Sequence, residues 1–125
     1  MKPALSATAP SEVEKPRIAF VSTRIAGTDG VSLEIGKWAR VLERMGVDCY
    51  YIAGELDRPD ERCVLIKEAH FNHPDILEVS RQAFDAEIRT PQLTDEITRL
   101  TRSIRDQLES AIERLKLDAL IAENA

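Results

Sequence analysis

The sequence predicts an α/β fold: a Rossmann-like, mostly parallel sheet of about four strands in the order 3-2-1-4, with helices on both faces. Three observations carry this. Short β-branched and aromatic runs alternate with long helical stripes. The first run, RIAFVS (17–22), is apolar at consecutive positions, so both of its faces are covered, as in a central parallel strand. The longest stripe separates the third run from the last. A crossover there returns the chain to the far side of the first strand.

Residues 1–16 hold three prolines and many small residues, with no apolar central run. They read as a disordered lead-in rather than a secretory signal, and the folded domain is assigned to 17–125. After the first strand and a loop, Val31, Ile35, Trp38, Ala39, Leu42 and Met45 recur at helical steps. They predict a helix whose core stripe includes Trp38. Gly46 ends it as the residue beyond the C-cap. Gly36, unfavourable inside a helix, is read as letting the helix sit close to the sheet. DCYYIAGEL (48–56) predicts the second strand and CVLIKEA (63–69) the third. The linker between them is short for a parallel crossover, so the direction of the third strand stays open.

Pro74 breaks the chain, and Ile76, Leu77, Val79, Ala83 and Phe84 predict a helix over about 75–87. Thr90 and Pro91 form a start signal, an N-cap hydroxyl followed by proline at the first helical position. Ile97, Leu100, Ile104, Leu108, Ala111, Ile112 and Leu115 then predict a helix over 91–116. Arg102/Asp106 and Arg105/Glu109 are placed to pair on its outer face, and Lys116 suits its negative end. DALIAENA (118–125) begins a fourth strand. If that strand is the last, its outer edge lies open and invites self-association or a partner chain.

Composition narrows the function classes. A length of 125 residues suits one domain, and 43% apolar with 31% charged content suits a soluble one. A formal charge of −5 argues against a nucleic-acid surface. No apolar run is long enough to make a transmembrane segment. Cys49 and Cys63 lie in or beside apolar runs and read as buried thiols in a reducing cytoplasm. His70 and His73 flank Phe-Asn without a third ligand at metal-binding spacing, so they are assigned to a loop. No metal, no cofactor and no catalytic residue is assigned.

The predicted strand order reverses between strands one and four, and ligands of open α/β sheets bind at such a point. The loop SerThrArgIleAlaGlyThrAspGly (22–30) and the pair Glu123 and Asn124 border it. Gly27 and Gly30 serve either the turn itself or close approach of a ligand. Backbone N–H groups of Gly30, Val31 and Ser32 are placed to hold an anion or a sugar hydroxyl. Asp29 or Thr28 caps the helix, and Asp29 suits sugar hydroxyls better than phosphate. The spacing is neither G-x-G-x-x-G nor a Walker loop. Glu55 and Asp57, where dehydrogenases place a ribose-binding acid, are therefore read as loop acids or polar acceptor contacts. Glu68 is a further acceptor-site candidate.

At these residues the chain resembles the amino-terminal half of bacterial GT-B glycosyltransferases of the family 4, retaining type. The likeness covers most of 17–125 and is best at STRIAGTDGVSLE, KWARVLERMG, YYIAGELD and IAENA. It implies two Rossmann-like domains facing across a cleft, with this one holding the acceptor and the other most of a nucleotide-sugar. It gives Gly27, Thr28, Asp29, Gly30, Val31 and Ser32 a role at the junction of acceptor and donor phosphate. It lets Arg24 neutralise phosphate or an anionic acceptor, and sets Glu123 and Asn124 on the opposite lip. Such enzymes are far longer than this chain. The resemblance therefore implies an amino-terminal fragment, a truncated gene product or one part of a split enzyme, inactive alone and relying on a missing donor-side half. The reading from a different class is a non-catalytic α/β binding or protein-interaction module.

Overall fold

The computed structural model describes residues 14–85 and 89–123. Among them four strands form one all-parallel sheet: β1 (Arg17–Val21), β2 (Asp48–Ala53), β3 (Cys63–Leu65) and β4 (Ala119–Ala122), in the order β3-β2-β1-β4. Three helices accompany them, α1 (Gly30–Arg44), α2 (Pro74–Asp85) and α3 (Pro91–Leu115). This is the Rossmann-like order expected from the sequence. Residues 1–13 of the lead-in lie outside the described residues. Pro16 is already tied in, its carbonyl accepting the Asp48 N–H at 2.8 Å.

β1 is central because it is apolar on both faces. Phe20 points to the α1 side with Cys49, Tyr51, Ala53, Ile35 and Ala39, while Ala19 points to the α3 side with Tyr50, Ile52, Ile66 and Ala111. The small Ala19–Ala111 contact lets α3 lie close to the middle of the sheet. At the start of β1 the Arg17 N–H donates to Asp118 Oδ2 at 2.8 Å and its guanidinium caps the Leu115 carbonyl at 3.0 Å. These bonds bring the end of α3 to the foot of β1 and set β4 beside it.

β3, whose direction the sequence leaves open, is parallel, and several other expectations are corrected. It pairs only with Tyr51–Ala53, the second half of β2, so the linker need carry the chain back only half a strand length, which its extended residues can span. β2 and β3 are shorter than expected, because regular pairing stops at Ala53, with only ragged bonds to the first loop beyond it, and Lys67–Ala69 form a 3-10 turn. Trp38 is 51% exposed and Met45 72% exposed. The stripe of α1 that meets the sheet is Ser32, Ile35 and Ala39, and Trp38 lies about 100° round the helix from Ala39. A Cβ on Gly36 would meet only arginine side chains, not the sheet. α2 has no buried residue and packs on α3, which leaves Phe84 88% exposed. Cys49 is buried and Cys63 partly buried; both are free thiols.

Caps behave as read. Thr90 accepts the Leu93 N–H at 3.1 Å, with Pro91 next, and Gly46 follows α1 at φ +88°. α3 ends one residue earlier than expected, on Lys116 in the left-handed region at φ +53°. On the outer face Asp106 pairs with Arg105 at 3.2 Å rather than with Arg102, and Arg105 also reaches Glu109 at 3.8 Å. Glu68 is turned away from the strand ends. It accepts from Ser103 Oγ and, at 3.1 Å, from Gln107 Nε2, which clamps the 3-10 turn onto α3.

The tightest approach in the fold is at Gly54, where an added Cβ would lie 2.3 Å from the His70 backbone nitrogen. Gly54→Ala is expected to destabilise by about 2–3 kcal/mol in urea denaturation, because backbone must move. Gly30→Ala, with nothing within 4 Å of the new carbon, is expected to change stability by less than about 0.5 kcal/mol.

Candidate functional site

The loop after β1 does not lift off the sheet at once. Ser22 N–H donates to Ile52 O at 3.1 Å, Gly54 N–H to Thr23 O at 2.9 Å, Ile25 N–H to Glu55 O at 2.9 Å and Asp57 N–H to Ile25 O at 3.2 Å. The loop thus runs as a ragged continuation of the β1–β2 pairing, and Ile25 anchors it as a fully buried side chain. Gly27 then reverses the chain at φ +71°, a conformation that favours glycine. Its N–H is held by Asp57 Oδ2 at 2.8 Å. Gly30 has ordinary helical backbone and open space around it, so only Gly27 answers to a backbone demand.

Asp29 is the N-cap, accepting the Ser32 N–H at 2.9 Å and the Ser32 hydroxyl at 2.8 Å. Ser32 Oγ in turn accepts the Ala26 N–H at 3.0 Å. Of the three N–H groups expected to face a ligand, that of Ser32 is therefore taken by the cap. Thr28 is exposed in the turn and takes no part in capping. Arg24 lies between two carboxylates, 2.5 Å from Asp29 Oδ2 and 3.2 Å from Glu55 Oε1. Glu55 also meets His70 Nε2 at 3.0 Å. His70 Nδ1 accepts the Asn72 N–H at 2.9 Å, so its proton sits on Nε2 and is donated to Glu55.

These bonds set the charges. The Ser32 N–H, then its hydroxyl, then Arg24 hold Asp29 below the usual aspartate value. The His70 hydrogen bond and then Arg24 hold Glu55 below the usual glutamate value. Asp57 is lowered first by the Gly27 N–H and then by Arg58. Burial pushes the Cys49 thiol up to about 11, so it stays protonated and is a poor nucleophile.

Beside this network lies a cavity of about 350 Å³ lined by Thr23, Arg24, Asp29, Gly30, Val31 and Phe71. Ser22 Oγ and Thr23 Oγ1, at the end of β1, are buried with no hydrogen-bond partner among the described residues. Phe71 is 52% exposed, so part of its ring is open to solvent. The Arg24 donor, the Asp29 acceptor and the partly open Phe71 ring at one cavity suit a hydroxylated ligand. Among the described residues no group of three His, Cys, Asp or Glu could hold a metal ion.

Glu123 continues the β4 pairing, its N–H donating to Val21 O at 2.9 Å. It lies at the same end of the sheet, but the loop leans the other way, toward β2, and Glu123 is not among the residues lining the cavity. Asn124 lies outside the described residues. Sequence reasoning missed Gly54, His70 and Phe71 as parts of one site. A glycine directly after an apolar strand and an aromatic residue beside the histidine were the available signals.

No protein-family model matches the chain, and no solved structure matches it. Over 68 residues it is 35% identical to the mannosylglucosylglycerate synthase of Thermotoga maritima. The match covers 54% of this chain and 16% of that protein, so the chain spans about a sixth of that relative.

Asp29 and Glu55 have lower values folded than unfolded. Their contribution to stability is complete above the unfolded values and is lost as pH falls through the folded ones. Stability to denaturant is expected to drop on acidification below about pH 4. Asp29→Asn and Glu55→Gln should each flatten that drop; a double variant whose profile parallels the parent would contradict this assignment.

Proposed function

We propose that this chain is the acceptor-side, amino-terminal part of a retaining, GT-B, family 4-type glycosyltransferase. It would move a sugar from a nucleotide-sugar to a hydroxylated acceptor in the cytoplasm. The observation that carries the reading is the cavity at the end of β1, where Arg24, Asp29, Thr23 and Phe71 converge. Similarity to a mannosylglucosylglycerate synthase supports the same class of chemistry, and no described helix is long and apolar enough to cross a membrane.

In this reading Asp29 accepts from acceptor hydroxyls, Arg24 donates to them and Phe71 packs on a sugar face. Transfer leaves a diphosphate whose growing charge needs donors. Here the helix start is partly spent, since Asp29 takes the Ser32 N–H and lies beside Arg24. The donor-side half supplies those groups, and this chain alone is inactive. The second reading, an interaction module, is favoured by β4, an apolar edge strand with Leu120 41% exposed.

Amide shifts on titration with methyl glucoside are expected at Thr23, Asp29, Gly30 and Phe71. Arg24→Ala should weaken that binding about tenfold. Nucleotide-sugars should bind the chain only weakly, and transfer should appear only when it is joined to a donor-side domain. Tight nucleotide-sugar binding by the chain alone would contradict the acceptor-side assignment. Self-association without any sugar effect would favour the module.

A further inference from the structure

A second cavity, of about 400 Å³, lies on another flank of α1 and shares no lining residue with the first. Its walls carry Lys37, Arg40, Arg58 and Tyr51, with Gly36 as a bare stretch of helix between them. A Cβ on Gly36 would sit 3.7 Å from Arg40 Nη1 and 3.9 Å from Arg58 Nη2, so both guanidinium groups converge over the same point. That is an unfavourable arrangement of like charges in a chain whose net charge is −5.

The carboxylates nearby cancel it only in part. Arg58 pairs with Asp57 at 2.5 Å, and Lys37 reaches Glu34 only at 3.9 Å. Arg40 makes no ion pair among the described residues. Arg58 is also held in place. It donates to the Ser32 carbonyl at 3.0 Å and lies over the Tyr51 ring, 5.9 Å from its centre. Tyr51 is only 7% exposed, and its hydroxyl makes no hydrogen bond among the described residues. Burial raises its pKa, which keeps it a neutral O–H donor.

We propose that this cavity binds a tetrahedral oxyanion of the phosphate class, held by Arg40, Arg58 and Lys37 with the Tyr51 hydroxyl as a neutral donor. Guanidinium forks match phosphate oxygens in geometry as well as charge. The site stands independently of the transferase reading. It also touches the first loop, because Asp57 holds Arg58 with one oxygen and the Gly27 N–H with the other. An anion that draws on Arg58 loosens its pairing with Asp57 and is felt at Gly27.

The test is an amide-shift titration of the chain with inorganic phosphate at constant ionic strength. Chloride serves as the control, and glucose 6-phosphate as a second arm. Saturable shifts are expected at Gly27, Gly36, Lys37 and Arg58 with phosphate and not with chloride. Arg40→Gln, on an exposed helix position, should weaken binding about tenfold while leaving the thermal midpoint unchanged. Tyr51→Phe should weaken it less. Tighter binding of glucose 6-phosphate would mark a phosphorylated metabolite as the ligand, and equal binding would mark free phosphate. Equal shifts with chloride, or phosphate binding indifferent to Arg40→Gln, would overturn the proposal.

Discussion

At Gly54 the backbone leaving β2 meets the backbone of His70 with no room for a side chain between them. The rim of the sheet depends on that approach. It lets Gly54 donate to Thr23, which draws the first loop along β2, and it brings His70 within reach of Glu55. Glu55 in turn holds Arg24 against the N-cap of α1. The first cavity is therefore bordered by the loop after β1, the start of α1 and Phe71, whose relative positions depend on one absent methyl group.

The network is a device for balancing charge at a helix start. An N-terminus attracts anions, but here the attraction is met from within by Asp29, and the carboxylate is met by Arg24. What remains at the cavity is a paired donor and acceptor and a partly open phenyl ring. Elsewhere, over Gly36, Arg40, which makes no ion pair among the described residues, converges with the Asp57-paired Arg58. One loop serves both regions, since Asp57 bonds Gly27 on one side and Arg58 on the other.

The sheet offers the same contrast between closed and open surface. β1 is sealed by α1 and α3, with Ala19 and Phe20 fully buried. Among the described residues β4 pairs on one side only, and Leu120 remains partly open. An apolar edge strand of this kind can accept a further strand or another surface. α2, with Phe84 bare, adds an uncovered apolar position in a separate part of the fold.

Local chemistry was legible in the sequence by itself. Strand runs, helical stripes, the Thr90–Pro91 start and the Gly46 stop depend on residues a few positions apart. The strand order follows from crossover handedness once those elements are known. The position of the loop at the ligand-binding end of the sheet was legible for the same reason. Tertiary structure alone decided the rest. β3 is parallel because it pairs with only half of β2. Trp38 is half exposed because the stripe meeting the sheet is centred on Ile35 and Ala39. Glu68 serves α3 instead of a ligand, and Arg24 is already paired. Each of these turns on which side chains distant in sequence meet, and that is set by the path of the loops and the space that Gly54 leaves open, neither of which has a period a sequence can display.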